Sequence, residues 1–566
     1  MRVPEEQEPY DPEAVRPATR QETMPIAMMA VFLGMIALMF CYSRGYLLLY
    51  GDAVAHLGIA RRIFDSRNPG LAQLGGVWLP LPHLLMLPFV QRMDWWQNGL
   101  AGAWPSLLAY VVGVAGFYRL CRRLLIPRWA FAATAFYALN PNLLYLSATA
   151  MNEPLFLALV VWLTLLTIEV LDRMRGETVT DKKVVGKTVI AKPRQPVVGL
   201  VALAVLIFAA VFTRYDGWIF GASIWLVFAV QTLRRGQPSR RWTVAFAIFT
   251  LIAIAGPVLW LVYNHHFMGD ALDFMRGPYS AAAIERKTSV PGAPHYRGWH
   301  NLGWALVFYT RTAQVDAAAW ETGFVLLAAA LGGVSLMLRR GFAGARRAAL
   351  LLWIPLPFYL YSVAYGSVPI FIPQLYPHSF YNARYGMEML PALALFTFLL
   401  LAEMERSVAA TQPKIARTLA PLALALCVAN AVAMGYFTPL VLKEGIVNAR
   451  TRVPFEDSIA RQIQSFPAGA PILMYNSDHI GAIERAGIPL RQTINEGDRD
   501  SFEKALADPA DSALYIIAIA GDPVSNAVAA HPENLTELSV LCTTGQPCAR
   551  VYHSDRYGIA HAPQQP

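Results

Sequence analysis

Up to about residue 440 the chain alternates long apolar runs with short polar links. Most runs are about 18–22 residues long, the length a helix needs to cross about 30 Å of hydrocarbon. Spans are expected near 25–43, 99–119, 129–149, 153–171, 197–213, 217–233, 242–263, 319–338, 348–366, 386–403 and 418–438, about eleven in all. The segment WLPLPHLLMLPFV, residues 78–90, is apolar but too short, and Pro80, Pro82 and Pro88 break it, so it reads as a re-entrant or interfacial piece. Beyond residue 440 the pattern shortens. Ile472–Tyr475 and Leu514–Ala518 are apolar runs bounded by Gly, Pro and Asp, as buried strands are, while 455–465 and 500–507 carry a helical period. The predicted fold class is an all-α polytopic membrane protein with a small C-terminal α/β domain. The expected division is a polar tail at 1–24, a membrane domain at 25–439 and the α/β domain at 440–566.

Composition agrees with this picture. Of 566 residues, 55% are hydrophobic and 15% charged, against roughly a quarter charged in soluble domains. The run from Pro25 to Tyr42 lacks a basic leader and a small-residue cleavage site, so it reads as a retained span. The net charge of +9 has no basic stripe with interleaved aromatics behind it, which argues against nucleic acid. The basic residues sit instead in alternate links. They include Arg122 and Arg123, the run from Arg173 to Arg194, Arg240 and Arg241, Arg346 and Arg347, and Arg406 to Arg417. By the positive-inside rule these links face the cytoplasm. That places residues 44–98, the turns at 151–153 and 213–217, the loops 264–318 and 367–385, and everything after 440 on the external side. The bacterial inner membrane is the expected location. Cys542 and Cys548 then lie where an oxidising compartment permits a small disulfide loop.

The ionisable residues that stand out gather at the external ends of spans: Asp52, His56, His83, Asn152, Glu153, Arg214, Asp216, His378, Arg384 and Glu388. A transporter would instead place such groups near the bilayer midplane. Chemistry at the outer interface suits a substrate on a long prenyl tail, which cannot leave the leaflet because each buried CH₂ is worth about 0.8 kcal/mol.

YGDA-x-x-H-x-x-x-A-R-R at residues 50–62 resembles the opening motif of the GT-C membrane glycosyltransferases. The order that follows is similar too: the proline-rich segment, MNEP at 151–154, TRYDGW at 213–218 and ARYGMEMLP at 383–391. The nearest branches are the protein O-mannosyltransferases and the lipid A aminoarabinose transferases. The resemblance covers roughly 25–440. It implies an inverting transfer of a sugar from a polyprenyl-phosphate donor to a hydroxyl of a protein, lipid or glycan acceptor at the external face. Asp52 is the candidate general base, the other reading being an N-cap. Glu153 matches the family's second acidic position, which takes the acceptor or a divalent cation (Mg or Mn). The chain departs from the family at Ala53, where a second acid is usual, and His56 one turn on is the group left to replace it. Arg214 and Arg384 are candidate phosphate clamps, or partners of Asp216 and Glu388. His83, Asn152, His378, Tyr381 and Tyr385 complete the candidate substrate site. Arg61 and Arg62 read as lipid-headgroup contacts. The alternatives are a lipid-linked oligosaccharide transferase or polymerase, and a flippase or transporter of lipid-linked sugars.

Overall fold

A computed structural model describes residues 15–174, 196–234, 240–288, 294–339 and 344–557. Most of the basic link at 173–196 and the first 14 residues of the N-terminal tail lie outside them. Among the described residues nine helical segments are long and apolar enough to cross a membrane. They include Arg20–Ser43, Leu100–Cys121, Glu153–Met174, Asp216–Arg234, Arg240–Met268 and Thr322–Arg339. Glu153–Met174 is buried along most of its length and forms the centre of the bundle. Arg20–Ser43 and Arg240–Met268 are just as apolar yet bury only one side, with Phe32, Met39 and Leu251 exposed. Helices apolar all round and open on one face are built to meet lipid. The protein is an integral, multi-pass membrane protein.

Two of the expected spans differ. The run at 197–213 gives a 16-residue helix, Pro196–Val211. The run at 129–149 is two helices, Pro127–Ala138 and Pro141–Ser147. Asn140 is the reason for the break: its side chain accepts the amides of Asn142 and Leu143, and Pro141 stands at the first helical position, where no donor is needed. The interfacial segment forms a ten-residue helix, Leu81–Val90, too short to span. The loop 264–318 is not a simple connector, because Leu302–Ala317 is a helix with Phe308, Tyr309 and Thr312 buried against neighbouring spans.

After the last span, helix Leu440–Gln464 leads into a five-stranded sheet. Its strands are β1 (Ile472–Met474), β2 (Thr493–Ile494), β3 (Tyr515–Ile519), β4 (Leu535–Leu541) and β5 (Ala549–Ser554), in the order β2-β1-β3-β5-β4. The first three are parallel, and β5 and β4 add antiparallel. β1 and β3 are almost wholly apolar, as strands covered on both faces must be. Cys542 and Cys548 are bonded and close the loop between β4 and β5.

Candidate active site

Four segments deliver charged side chains to one point, at the end of the bundle that carries the sheet. The first is the short helix Gly51–Arg62. It begins two residues earlier than a cap at Asp52 would require: Tyr50 is the N-cap, and Asp52 lies in the first turn, where the helix dipole favours an acid. The second is the start of Glu153–Met174, the third the turn before Asp216–Arg234, and the fourth the 3₁₀ turn Ala383–Met389.

Two arginines organise the point. Arg384 bonds the Asp52 carboxylate through Nη2 and Glu153 Oε1 through Nε, the latter at 3.0 Å. Arg214 reaches Asn152 Oδ1 at 2.9 Å, Glu153 Oε1 at 3.4 Å, Asp216 Oδ2 at 3.2 Å and Glu388 Oε1 at 3.0 Å. It also donates to the Tyr359 hydroxyl at 2.6 Å, and Tyr359 in turn donates to Glu388 Oε1 at 2.7 Å. The Tyr385 ring lies between the guanidiniums, 4.9 Å from Arg384 and 5.1 Å from Arg214. Tyr50 covers Arg384 from the other side at 5.3 Å. Glu153 is completely buried, whereas the Asp52 side chain is 40% exposed. Asp52 is therefore the acid of this cluster that an incoming molecule can reach.

His56 is buried one turn below Asp52. Its Nδ1 lies 2.8 Å from His83 Nε2, and its ring packs on Trp78 at 4.4 Å. Burial pushes the His56 imidazole down to about 4, and His83 moves in the same direction for the same reason. The pair is neutral at pH 7, one ring donating to the other.

Nine of the expected residues thus meet here, with His56 and His83 as a layer beneath Asp52. Two do not join the cluster. His378 is on the surface, its Nδ1 bonded to the Pro373 carbonyl in a tight turn. Tyr381 is 40% exposed, pairs its backbone with Phe371 and lies at the rim of the site, within electrostatic reach of Tyr385, Asp52 and Arg384. The pairing of Arg384 with Glu388 is not found, since Glu388 turns to Arg214 and Arg384 crosses to Asp52 and Glu153. Arg61 is not at a headgroup. It is buried, pairs with Asp65 at 2.8 Å and donates to the Val90 carbonyl at 2.7 Å. Arg62 likewise donates to the Gln73 carbonyl at 2.5 Å. Sequence reasoning missed Tyr359, Trp78 and Glu444. The first two carry no local signal, whereas Glu444 was visible as a lone acid in the apolar run LVLKEGIV.

A divalent cation fits this arrangement poorly. Asp52, Glu153, Asp216 and Glu388 all face a guanidinium, and among the described residues no group of three or more His, Cys, Asp or Glu side chains is arranged to hold a metal ion.

This arrangement, a helical bundle with a short helix after its first span and a small α/β domain at the same end, is a fold shared with a protein of known structure. Its resemblance is to ArnT of Cupriavidus metallidurans. That enzyme, solved bound to undecaprenyl phosphate, aligns with a TM-score of 0.53 at 13% identity over 94% of this chain and 98% of its own. In its apo state it aligns with a TM-score of 0.50 at 14% identity, over 91% and 97%. The oligosaccharyltransferase of Archaeoglobus fulgidus aligns more loosely, with a TM-score of 0.47 at 9% identity over 88% and 70%. No family model and no curated protein matches the sequence.

Proposed function

We propose that the protein is an inverting glycosyltransferase that moves a sugar from a polyprenyl-phosphate donor to an acceptor hydroxyl, with Asp52 as general base. The observation that carries this reading is the partly exposed Asp52 carboxylate, anchored on one edge by Arg384, in a fold that aligns over 94% of the chain with ArnT solved bound to undecaprenyl phosphate. The ion pair fixes Oδ2 and leaves Oδ1 to face the entering hydroxyl. Oδ1 takes the hydroxyl proton as the acceptor oxygen attacks the anomeric carbon. The bond from that carbon to the phosphate oxygen breaks on the opposite face, and its electron pair stays on the phosphate. A positioned base of this kind contributes typically about 10²–10⁴-fold.

Arg384 commits Nε and Nη2 to carboxylates, which leaves Nη1 for the departing phosphate. Arg214 is fully engaged, so its role is to hold Glu153, Asp216 and Glu388 rather than to clamp the donor. Glu153 then acts as the buried strut between the two arginines. The active site and the sheet domain are assigned to the extracytoplasmic side of a bacterial inner membrane. The basic links at the opposite end and the Cys542–Cys548 disulfide support that orientation.

The test is turnover by the purified protein in lipid nanodiscs, offered a panel of radiolabelled undecaprenyl-phosphate sugars. Release of label from at least one lipid to an acceptor or to water is expected. Tight binding of a donor with no bond cleavage would instead indicate a flippase.

A further inference from the structure

We infer that helix Leu440–Gln464 is a two-point brace that sets the approach of Asp52 to Arg384, with Arg452 and Glu444 as positioning residues; this rests on the reading of Asp52 as the base. Asp52 and Arg384 lie 332 residues apart in sequence, on a short helix and a 3₁₀ turn. Each packs on a neighbour of its own, the first on Leu81–Val90 and the second on Leu302–Ala317, and among the described residues those two neighbours share no extensive contact. The short helix and the 3₁₀ turn are both held by one stripe of Leu440–Gln464, formed by Val441, Glu444, Gly445 and Arg452, whose spacing of three, four and eleven residues puts them on one face.

On the Asp52 side, Arg452 Nη2 donates to the carbonyls of Leu48 at 2.8 Å and Leu49 at 3.1 Å. These are the last two residues before the N-cap, Tyr50. The Tyr50 hydroxyl donates to the Val441 carbonyl at 2.8 Å. Gly445 makes the contact close: a Cβ there would lie 3.2 Å from both Leu49 and Tyr50. On the Arg384 side, Glu444 Oε2 accepts the amide of Ala383, the preceding residue, at 3.0 Å. Arg452 is itself held in place by Glu456, 2.7 Å from its Nη1 and 1% exposed. The far half of the helix is fastened to the sheet domain. Gln546 donates to Thr451 at 2.9 Å, Ser539 to Gln462 at 3.2 Å, and Arg485 to Asp457 at 3.0 Å. The C-terminal domain is thereby tied to the geometry of the Asp52–Arg384 pair.

The experiment compares the full chain and its Arg452→Met, Glu444→Leu and Glu444→Gln variants in nanodiscs, by amide hydrogen exchange and by turnover of whichever undecaprenyl-phosphate sugar the wild type uses. Arg452→Met is expected to speed exchange at residues 50–55 about tenfold or more while Tyr515–Ile519 stays protected. Glu444→Leu should do the same at 383–388. Glu444→Gln keeps an acceptor for the Ala383 amide and should restore protection. In the two disrupted variants kcat should fall on the order of 10²-fold with KM moving less than about twofold, as displacement of a positioned group demands. Unchanged exchange at both segments would overturn the brace. So would faster exchange with kcat intact. Faster exchange in a protein that turns over no donor at all would leave the brace standing and overturn the glycosyl-transfer reading. Should Arg452→Met also lose protection at Tyr515–Ile519, the Glu444 pair of variants decides.

Discussion

The two ends of the helical bundle treat charge differently. At the end away from the sheet domain, Arg122, Arg123, Arg128 and Arg173 meet Glu22, Glu169, Asp172 and Glu405. In these pairs each arginine is matched by an acid, and Arg128 is 55% exposed. At the other end Arg214 and Arg384 meet Asp52, Glu153, Asp216 and Glu388, two cations for four acids, with only Asp52 open to the outside. Burying charge costs several kcal/mol per ion unless it is well paired. A balanced cluster needs no explanation beyond anchoring helix ends. A buried surplus of acid is a feature that stability alone would not keep, which supports the proposed site at this end.

The largest effect should come from stripping the organiser of that surplus. Arg214→Met leaves Glu153, Asp216 and Glu388 without their shared cation and should destabilise the protein by about 3–5 kcal/mol, read as a drop in the thermal midpoint in nanodiscs. Removing the disulfide with Cys542→Ser should cost about 2 kcal/mol, the loop being short, and its effect should appear in the sheet domain by hydrogen exchange before the bundle responds.

The site end also carries the neutral histidine pair. Their folded values lie below the ordinary 6.5, so the unfolded chain binds protons that the native chain refuses. Stability should be flat above pH 6.5 and fall as pH drops from 6.5 towards 4, and His56→Asn should flatten that slope in a pH series of thermal midpoints. The smallest effect belongs to the balanced end. Arg128→Ala should cost about 1 kcal/mol, because Arg128 itself is 55% exposed and the buried Glu405 keeps the Trp129 donor at 2.7 Å. A cost there as large as that of Arg214→Met would erase the distinction between the two ends.

The parts of this structure written in local pattern were legible in the sequence. Period and length located most spans, the short Leu81–Val90 helix and the strands at 472–474 and 515–519. The break at Asn140 was also written locally, in the N-cap and proline of ALNPN, but the apolar run around it masked the signal. Pairing across the chain was not legible. Arg384 has Glu388 one turn away and chooses Asp52 and Glu153, which are 332 and 231 residues distant. Arg61 looked like a headgroup contact because its helix is amphipathic, yet Asp65 four residues on and the Val90 carbonyl take it into the core. The Leu440–Gln464 helix hid its role for the same reason: its stripe of contacts reads as an ordinary buried face until the two segments it touches are seen together.

The most direct test of Asp52 as the base is single-turnover transfer from the undecaprenyl-phosphate sugar that the wild type uses, measured side by side for Asp52→Asn and Glu153→Gln in nanodiscs, with donor binding measured in parallel. Asp52→Asn should bind the donor and transfer 10²–10⁴-fold more slowly. Glu153→Gln, which keeps an oxygen acceptor for both guanidiniums, should lose less. Transfer unaffected by Asp52→Asn but abolished by Glu153→Gln would contradict the account and move the base to Glu153.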